Sequence, residues 1–120
     1  MSVASFGKDL KRFSKRTDLE LDTVIRKVAL ELYDGITAKT PVDTGRAKGN
    51  WNLSVGKKNT KVNVMAKGKK GVSLKKGDGE KPIYITNSLP YINTLENGSS
   101  KQASAGMVDI TVNEVRASLL

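Results

Sequence analysis

The chain contains no cysteine and no histidine among its 120 residues. Without Cys there is neither a disulfide framework nor a thiolate metal site. Without His the commonest general base, the commonest metal ligand and the usual near-neutral proton switch are gone. Ser-His-Asp and Cys-His nucleophilic sites are therefore excluded. Any catalysis would fall to carboxylates, Lys, Tyr or a metal held by oxygens alone. Aromatic residues make up only 5% of the chain and apolar residues 38%, which leaves little to offset the entropy of ordering it. The expectation is one modest core, helped by packing against partner subunits. No run approaches the roughly 18 apolar residues of a membrane span. Lys8, Asp9, Lys11 and Arg12 interrupt the N-terminal stretch where a secretion signal would be apolar. The reading is a soluble, non-exported chain with no membrane partner, and its length suits a single domain, 1–120.

Positive charge is what the chain has in excess, and it is concentrated. Residues 57–81 carry nine Lys against Asp78 and Glu80, a net +7 of the total +9. A basic patch of this kind suits nucleic acid, an anionic surface or an acidic protein; it equally suits a solvated loop that stays open.

Hydrophobic periodicity outlines the elements. Phe6, Leu10 and Phe13 lie on one face of a short amphipathic helix broken by residues 14–16. Thr17-Asp18-Leu19-Glu20 has the form of a capping box. Leu21, Ile25, Val28, Leu32 and Ile36 follow at helical spacing, with Val24 and Ala29 beside them, and predict a long helix over about residues 18–38. Gly35 weakens its last turn and Pro41 ends it. Arg46 to Gly49 reads as a brief helical turn capped by Asp43 or Thr44. Trp51, Leu53 and Val55 alternate with polar residues as a half-buried strand does. Val62 and Val64 suggest its hairpin partner, and Ile83 and Ile85 share one face of a third strand opened by Pro82. Between these, residues 66–81 read as a mobile basic loop in which Val72 and Leu74 offer a weak strand. Tyr91 and Leu95 suggest a short helix, pinned to the sheet and closed by Asn97-Gly98. Met107, Ile110, Val115 and Leu119 predict a terminal helix over about residues 107–118, with a strand around the β-branched run Ile110-Thr111-Val112 as the alternative. The fold class is α+β: a long N-terminal helix on a small antiparallel β-sheet, with a C-terminal helix.

No catalytic motif emerges. The glycines of residues 67–79 lack the G-x-x-x-x-G-K-[ST] pattern of a phosphate loop, and Asp78 and Glu80 are a weak basis for a metal site. Neither an enzyme nor a cofactor is implied.

Two segments are more telling. Thr40-Pro41-Val42-Asp43-Thr44-Gly45-Arg46 is followed by Gly49-Asn50-Trp51. Further on, Tyr84-Ile85-Thr86-Asn87-Ser88-Leu89-Pro90-Tyr91 runs on to Leu95-Glu96-Asn97-Gly98-Ser99. In this order, the pair resembles the tail-completion, or minor tail component, family of lambda-like long-tailed bacteriophages over roughly residues 21–115. The chain departs from the pattern at Ala47, where a bulky apolar residue is usual, and at Ser104-Ala105-Gly106, where prolines are usual. The resemblance implies a structural protein of the virion neck that joins head to tail by forming a ring. The ring would be hexameric in the particle, assembled in the host cytoplasm, from a chain monomeric in isolation. Its partners would be head-closure, tail-terminator and tail-tube proteins. The interface residues it implies are Pro41, Asp43, Thr44, Gly45, Arg46, Trp51, Tyr91, Leu95, Glu96, Gly98 and Ser99. Of these, Asp43, Thr44 and Gly45 read equally as a well-capped turn, Trp51 as a core anchor, and Glu96 as an ion-pair partner for Arg46 or a solvated carboxylate.

The competing function is sequence-independent nucleic-acid binding through Lys57, Lys58, Lys61, Lys67, Lys69, Lys70, Lys75 and Lys76. Lysines without base-reading side chains suit phosphate contact with passing DNA. The absence of aromatics among them argues against stacking on single strands.

Overall fold

The computed structural model describes residues 3–41, 45–97 and 106–120, with side chains from Phe6 onward. Five helices and two strands follow one another along the described chain: α1 Val3–Thr17, α2 Leu21–Lys39, α3 Arg46–Gly49, β1 Asn52–Val55, β2 Ile83–Thr86, α4 Ile92–Glu96 and α5 Met107–Ser118. A 3₁₀ turn, Asp78–Glu80, precedes β2. The class is α+β, with the sheet reduced to the antiparallel pair β1 and β2. No helix among the described residues is long and apolar enough to cross a membrane.

The first helix runs further than its apolar face suggests. Thr17 is its last residue, and its hydroxyl donates to the Phe13 carbonyl at 2.7 Å. Thr17 therefore does not cap α2, whose N-cap is Glu20 with no side-chain cap bond. The Thr17–Glu20 stretch is instead a helix exit. Asp18 turns into the left-handed region at φ 57, and the Leu19 and Asp18 N–H groups donate to the carbonyls of Ser14 and Lys15. That is the Schellman arrangement, with Asp where Gly is usual.

α2 is the spine. Its buried residues are Asp22, Val24, Val28, Ala29, Tyr33, Ile36 and Thr37, and they feed two clusters. Val24 and Val28 meet Val115 and Leu119 of the α5 end, with Phe6, Leu10 and Phe13 of α1 packed on them. Tyr33 and Ile36 meet Trp51 and Met107, covered by Leu53, Val72, Ile85, Ile92 and Leu95. The alternation around Trp51 therefore buries it as a core residue. The β-branched run of α5 remains helical because Thr111 and Val115, at i and i+4, both face α2.

Gly35 has a reason beyond propensity. A Cβ on it would lie 2.5 Å from Thr111 Cγ2, so glycine lets α2 and α5 approach closely. Thr111 cannot rotate away cheaply, since its hydroxyl is bonded to the Met107 carbonyl at 2.7 Å and β-branched rotamers are stiff in helices. Gly35→Ala is expected to destabilise by about 1–2 kcal/mol, because overpacking outweighs the gain in helix propensity. In the Gly35→Ala/Thr111→Ser double variant the clashing methyl is gone, and denaturant unfolding should return to the parent value or above.

β1 does not pair with residues 62–64. It pairs with β2 across the basic segment, in the register Asn52↔Thr86, Leu53↔Ile85, Ser54↔Tyr84, Val55↔Ile83. Leu53 and Ile85 face the core, while Asn52, Ser54, Tyr84 and Thr86 lie on the outer face, because directly opposed residues share a face and successive residues alternate. Ile83 and Ile85 can cover α2; Val62 and Val64 are exposed instead.

Candidate interaction surface

Residues 59–66 lie against the sheet and α3 without joining either, and two asparagines hold them there. Asn50 and Asn52 are buried, at 1% and 3% exposure. Asn50 Nδ2 donates to the Asn63 carbonyl at 2.9 Å, while its Oδ1 accepts the Asn63 N–H at 2.7 Å. One side-chain amide thus makes the two bonds that a neighbouring strand residue would make. Asn52 Nδ2 donates to the carbonyls of Asn59 and Lys61 at 3.1 and 3.2 Å, and the Thr86 hydroxyl also donates to the Asn59 carbonyl. Side chains have replaced a third strand's ladder, which is why the alternation at Val62 and Val64 misleads.

Asn63 then closes a turn. Its Oδ1 accepts the Met65 N–H at 3.0 Å, and its carbonyl accepts the Ala66 N–H at 3.1 Å. The turn corner carries Val64 and Met65, 60% and 74% exposed. Turn corners ordinarily carry Gly, Asn, Asp or Pro, so a held turn presenting Val-Met is unusual chemistry for a surface loop. Beside it lies a shallow recess of about 190 Å³ lined by Arg46, Val64, Met65, Ala66 and Lys67.

The glycines of the first motif make this contact possible. A Cβ on Gly45, whose φ is +73, would lie 1.8 Å from the Lys67 carbonyl oxygen. A Cβ on Gly49 would lie 2.5 Å from Ala66 Cβ and 2.7 Å from the Gly68 carbonyl oxygen. The backbone of residues 66–68 therefore rests on α3 where no side chain could fit.

The far end of the basic segment is tied to α2. Asp22 accepts the N–H groups of Gly77 and Gly79 at 2.9 and 2.6 Å and pairs with Arg26 at 3.2 Å. Chiefly through the Gly77 N–H, and against the opposing effect of burial, its carboxyl titrates below its ordinary value of 3.8. A depressed folded-state value stabilises above the unfolded value, and that contribution disappears as pH falls through the folded one. Asp22→Asn is therefore expected to lower the thermal midpoint near neutral pH and to converge with the parent once the pH has fallen through the folded-state value, which lies below 3.8. Amide exchange at Gly77 and Gly79 should accelerate at neutral pH in the variant.

Between these anchors, Tyr33, fully buried, donates its hydroxyl to the Lys70 carbonyl at 2.8 Å. Burial raises its pKa. Neither Asp22 nor Tyr33 stands out in the sequence as a contact for the basic segment. The available signal is their position: each lies on the apolar stripe of α2, Tyr33 one residue after Leu32.

The predicted site residues fall out unevenly. Pro41 and Gly45 are buried, Arg46 is exposed beside the turn, and Trp51 is a core residue that donates Nε1–H to Thr40 Oγ1 at 3.0 Å. Leu95 packs on the second cluster. Tyr91 is 39% exposed, whereas Leu89, two residues before it, is buried at 4%. Among the described residues Glu96 takes a part that neither reading named, as a backbone acceptor. Its Oε1 and Oε2 accept the N–H groups of Val108 and Asp109 at 2.8 and 3.2 Å, capping a helix start that Gly106 cannot cap with a side chain. Asp43, Thr44, Gly98 and Ser99 lie outside the described residues.

The lysines of the basic segment differ in how far they are engaged. Lys69 pairs with Asp34 at 2.5 Å and lies 5.6 Å from the Tyr33 ring centroid. Lys70 donates to Asn52 Oδ1, and Lys58 lies over the Tyr84 ring at 5.9 Å. Lys57, Lys61, Lys67, Lys75 and Lys76 are exposed. Among the described residues no group of acidic side chains could hold a metal ion.

A family model described as "Bacteriophage HK97-gp10, putative tail-component" matches residues 4–98. The chain belongs to this phage tail-component family. The match spans α1 to α4 and includes the turn at Val64-Met65, while α5, which completes both core clusters, lies beyond it. Neither the curated proteins nor the solved structures that were compared gave a match. As a family member the chain is a bacteriophage structural component of the tail, a place in the virion among other tail proteins.

Proposed function

We propose that this tail component works at the neck, joining head to tail in the tail-completion role of lambda-like phages. It acts as a single domain through a ring, hexameric in the particle, whose contacts are made by the Val64-Met65 turn and the recess beside it. The turn supports this reading best. Two large apolar side chains are exposed on a backbone already held by Asn50 and Asn63, so docking them costs little ordering entropy. Arg46 from the first motif lines the same recess, which brings that motif to the contact surface while its glycines support the loop from beneath. Head-closure, tail-terminator and tail-tube proteins are the partners of such a ring. The chemistry is complementarity of shape and charge, with no turnover.

Val64→Asp/Met65→Asp tests it. Both positions are exposed, so the purified variant should unfold within about 0.5 kcal/mol of the parent. Complementation of a phage lacking the gene should yield unjoined heads and tails by electron microscopy. Normal joined particles would reject the proposed contact surface.

A further inference from the structure

The motifs leave α1 without a role, yet it carries a uniformly cationic face. Lys8, Lys11, Arg12 and Lys15 are all exposed and together line one shallow groove of about 290 Å³. At 3.6 residues per turn they fall within about 100° of arc, directly opposite Phe6, Leu10 and Phe13. Those three pack against the first core cluster, so packing turns the cationic stripe squarely to solvent. The helix has one acidic residue, Asp9, and it is turned aside: it is buried and paired with Arg116 of α5 at 2.7 Å. Arg16, the remaining cation of the last turn, donates to the Leu119 carbonyl at 2.6 Å. The four stripe residues make no ion pair with any described carboxylate. This contrasts with residues 57–81, where Lys69 and Lys70 are engaged and Asp78 and Glu80 dilute the charge.

We infer that the stripe Lys8-Lys11-Arg12-Lys15 on α1 is a contact site for the phosphate backbone of double-stranded nucleic acid, read without regard to sequence. Four cations and no other side chain line the groove, which matches a regular polyanion; a protein partner would call for an apolar centre. No aromatic side chain is exposed on the stripe for stacking on unpaired bases. The apolar face of α1 is committed to the core, so nothing remains to insert into a lipid surface. This inference stands independently of the joining role proposed above.

The test is fluorescence anisotropy of a labelled 30-base-pair duplex titrated with the full chain, over about 25–200 mM salt. Three proteins are compared: the parent, the stripe variant K8Q/K11Q/R12Q/K15Q, and the loop variant K57Q/K58Q/K61Q/K67Q. Gln keeps helix propensity close to that of Lys and Arg, and circular dichroism checks that α1 persists. The expected result is binding by the parent, a loss of about 3–4 in the slope of log K against log salt for the stripe variant, and a loss below about 1 for the loop variant. Absence of binding by the parent at the lowest salt overturns the inference. So does a loop variant that loses as much as the stripe variant. Vesicles of anionic phospholipid are run in parallel, and parent binding to them as tight as to the duplex, lost in the stripe variant, would reassign the site to lipid headgroups.

Discussion

Gly45→Ala is expected to cost about 3–4 kcal/mol, well above the usual effect of adding one methyl group at a chain bend. Two penalties combine. The residue sits at φ +73, where a Cβ costs roughly 1–2 kcal/mol. The methyl would also lie 1.8 Å from the Lys67 carbonyl oxygen and 2.9 Å from the Gly68 nitrogen. A backbone carbonyl cannot rotate out of the way as a flexible side chain would, so residues 66–68 must lift from α3. The measurable consequence is twofold. Denaturant unfolding should shift by the stated amount, and amide exchange at Asn63 and Ala66 should rise by more than the global loss accounts for, because their donor bonds at 2.7 and 3.1 Å depend on the loop's seat. If the turn is the joining surface proposed above, complementation by Gly45→Ala should fail even at a temperature where most of the protein is folded. An unfolding midpoint equal to the parent's would show that the close approach at Gly45 is not a constraint.

Trp51→Ala should be the most damaging single truncation in the core, at about 3–5 kcal/mol. Against a total of about 5–15 kcal/mol for a domain of this kind, that is enough to leave a large unfolded fraction near 37 °C. Trp51 is 5% exposed and touches the cluster at which α2, the sheet and α5 meet, with Tyr33, Ile36 and Met107. Its indole N–H also satisfies Thr40 Oγ1, which itself donates to the Ile36 carbonyl at 2.7 Å. Trp51→Phe keeps most of the volume but leaves the hydroxyl without its donor, and should cost about 1–3 kcal/mol. The ratio of the two, read by urea denaturation, separates the packing contribution from the hydrogen bond. A Trp51→Ala cost below about 1 kcal/mol would contradict the placement of Trp51 at the core's centre.

The two variants differ in kind as well as size. Gly45→Ala acts on a surface loop through backbone geometry, whereas Trp51→Ala removes contacts shared by three elements. Gly45→Ala should therefore leave exchange in α2 close to the parent pattern once the global loss is allowed for, while Trp51→Ala should accelerate exchange throughout α2 and α5 together.

The sequence by itself determined those parts whose information is local. Helical spacing was enough to place α1, α2 and α5, and α5 spans the predicted Met107–Ser118. Pro41 ended α2 as its missing α-region neighbour requires, with Thr40 at ψ 135. The alternation from Trp51 located β1, and two ordered motifs led to a phage tail family whose model covers residues 4–98. Tertiary structure alone decided which segments meet. Val62-Asn63-Val64 and Ile83-Tyr84-Ile85 have the same period of two, and nothing local distinguishes them as partners of β1. What does is that Ile83 and Ile85 can reach the face of α2, while the side chains of Asn50 and Asn52 occupy the backbone of residues 59–63. Thr17–Glu20 fits both a helix start and a helix exit, and the packing of α1 on α2 selects the exit. Glu96 had two equally local readings, yet its partners are the first N–H groups of a helix that begins beyond the intervening loop. Asp22 and Tyr33 are polar groups on a helix's buried face, and their partners are backbone groups of Gly77, Gly79 and Lys70. Backbone donors and acceptors are the same at every residue, so no side-chain pattern announces which of them a buried carboxylate or phenol will find; only the folded path of the chain brings them together.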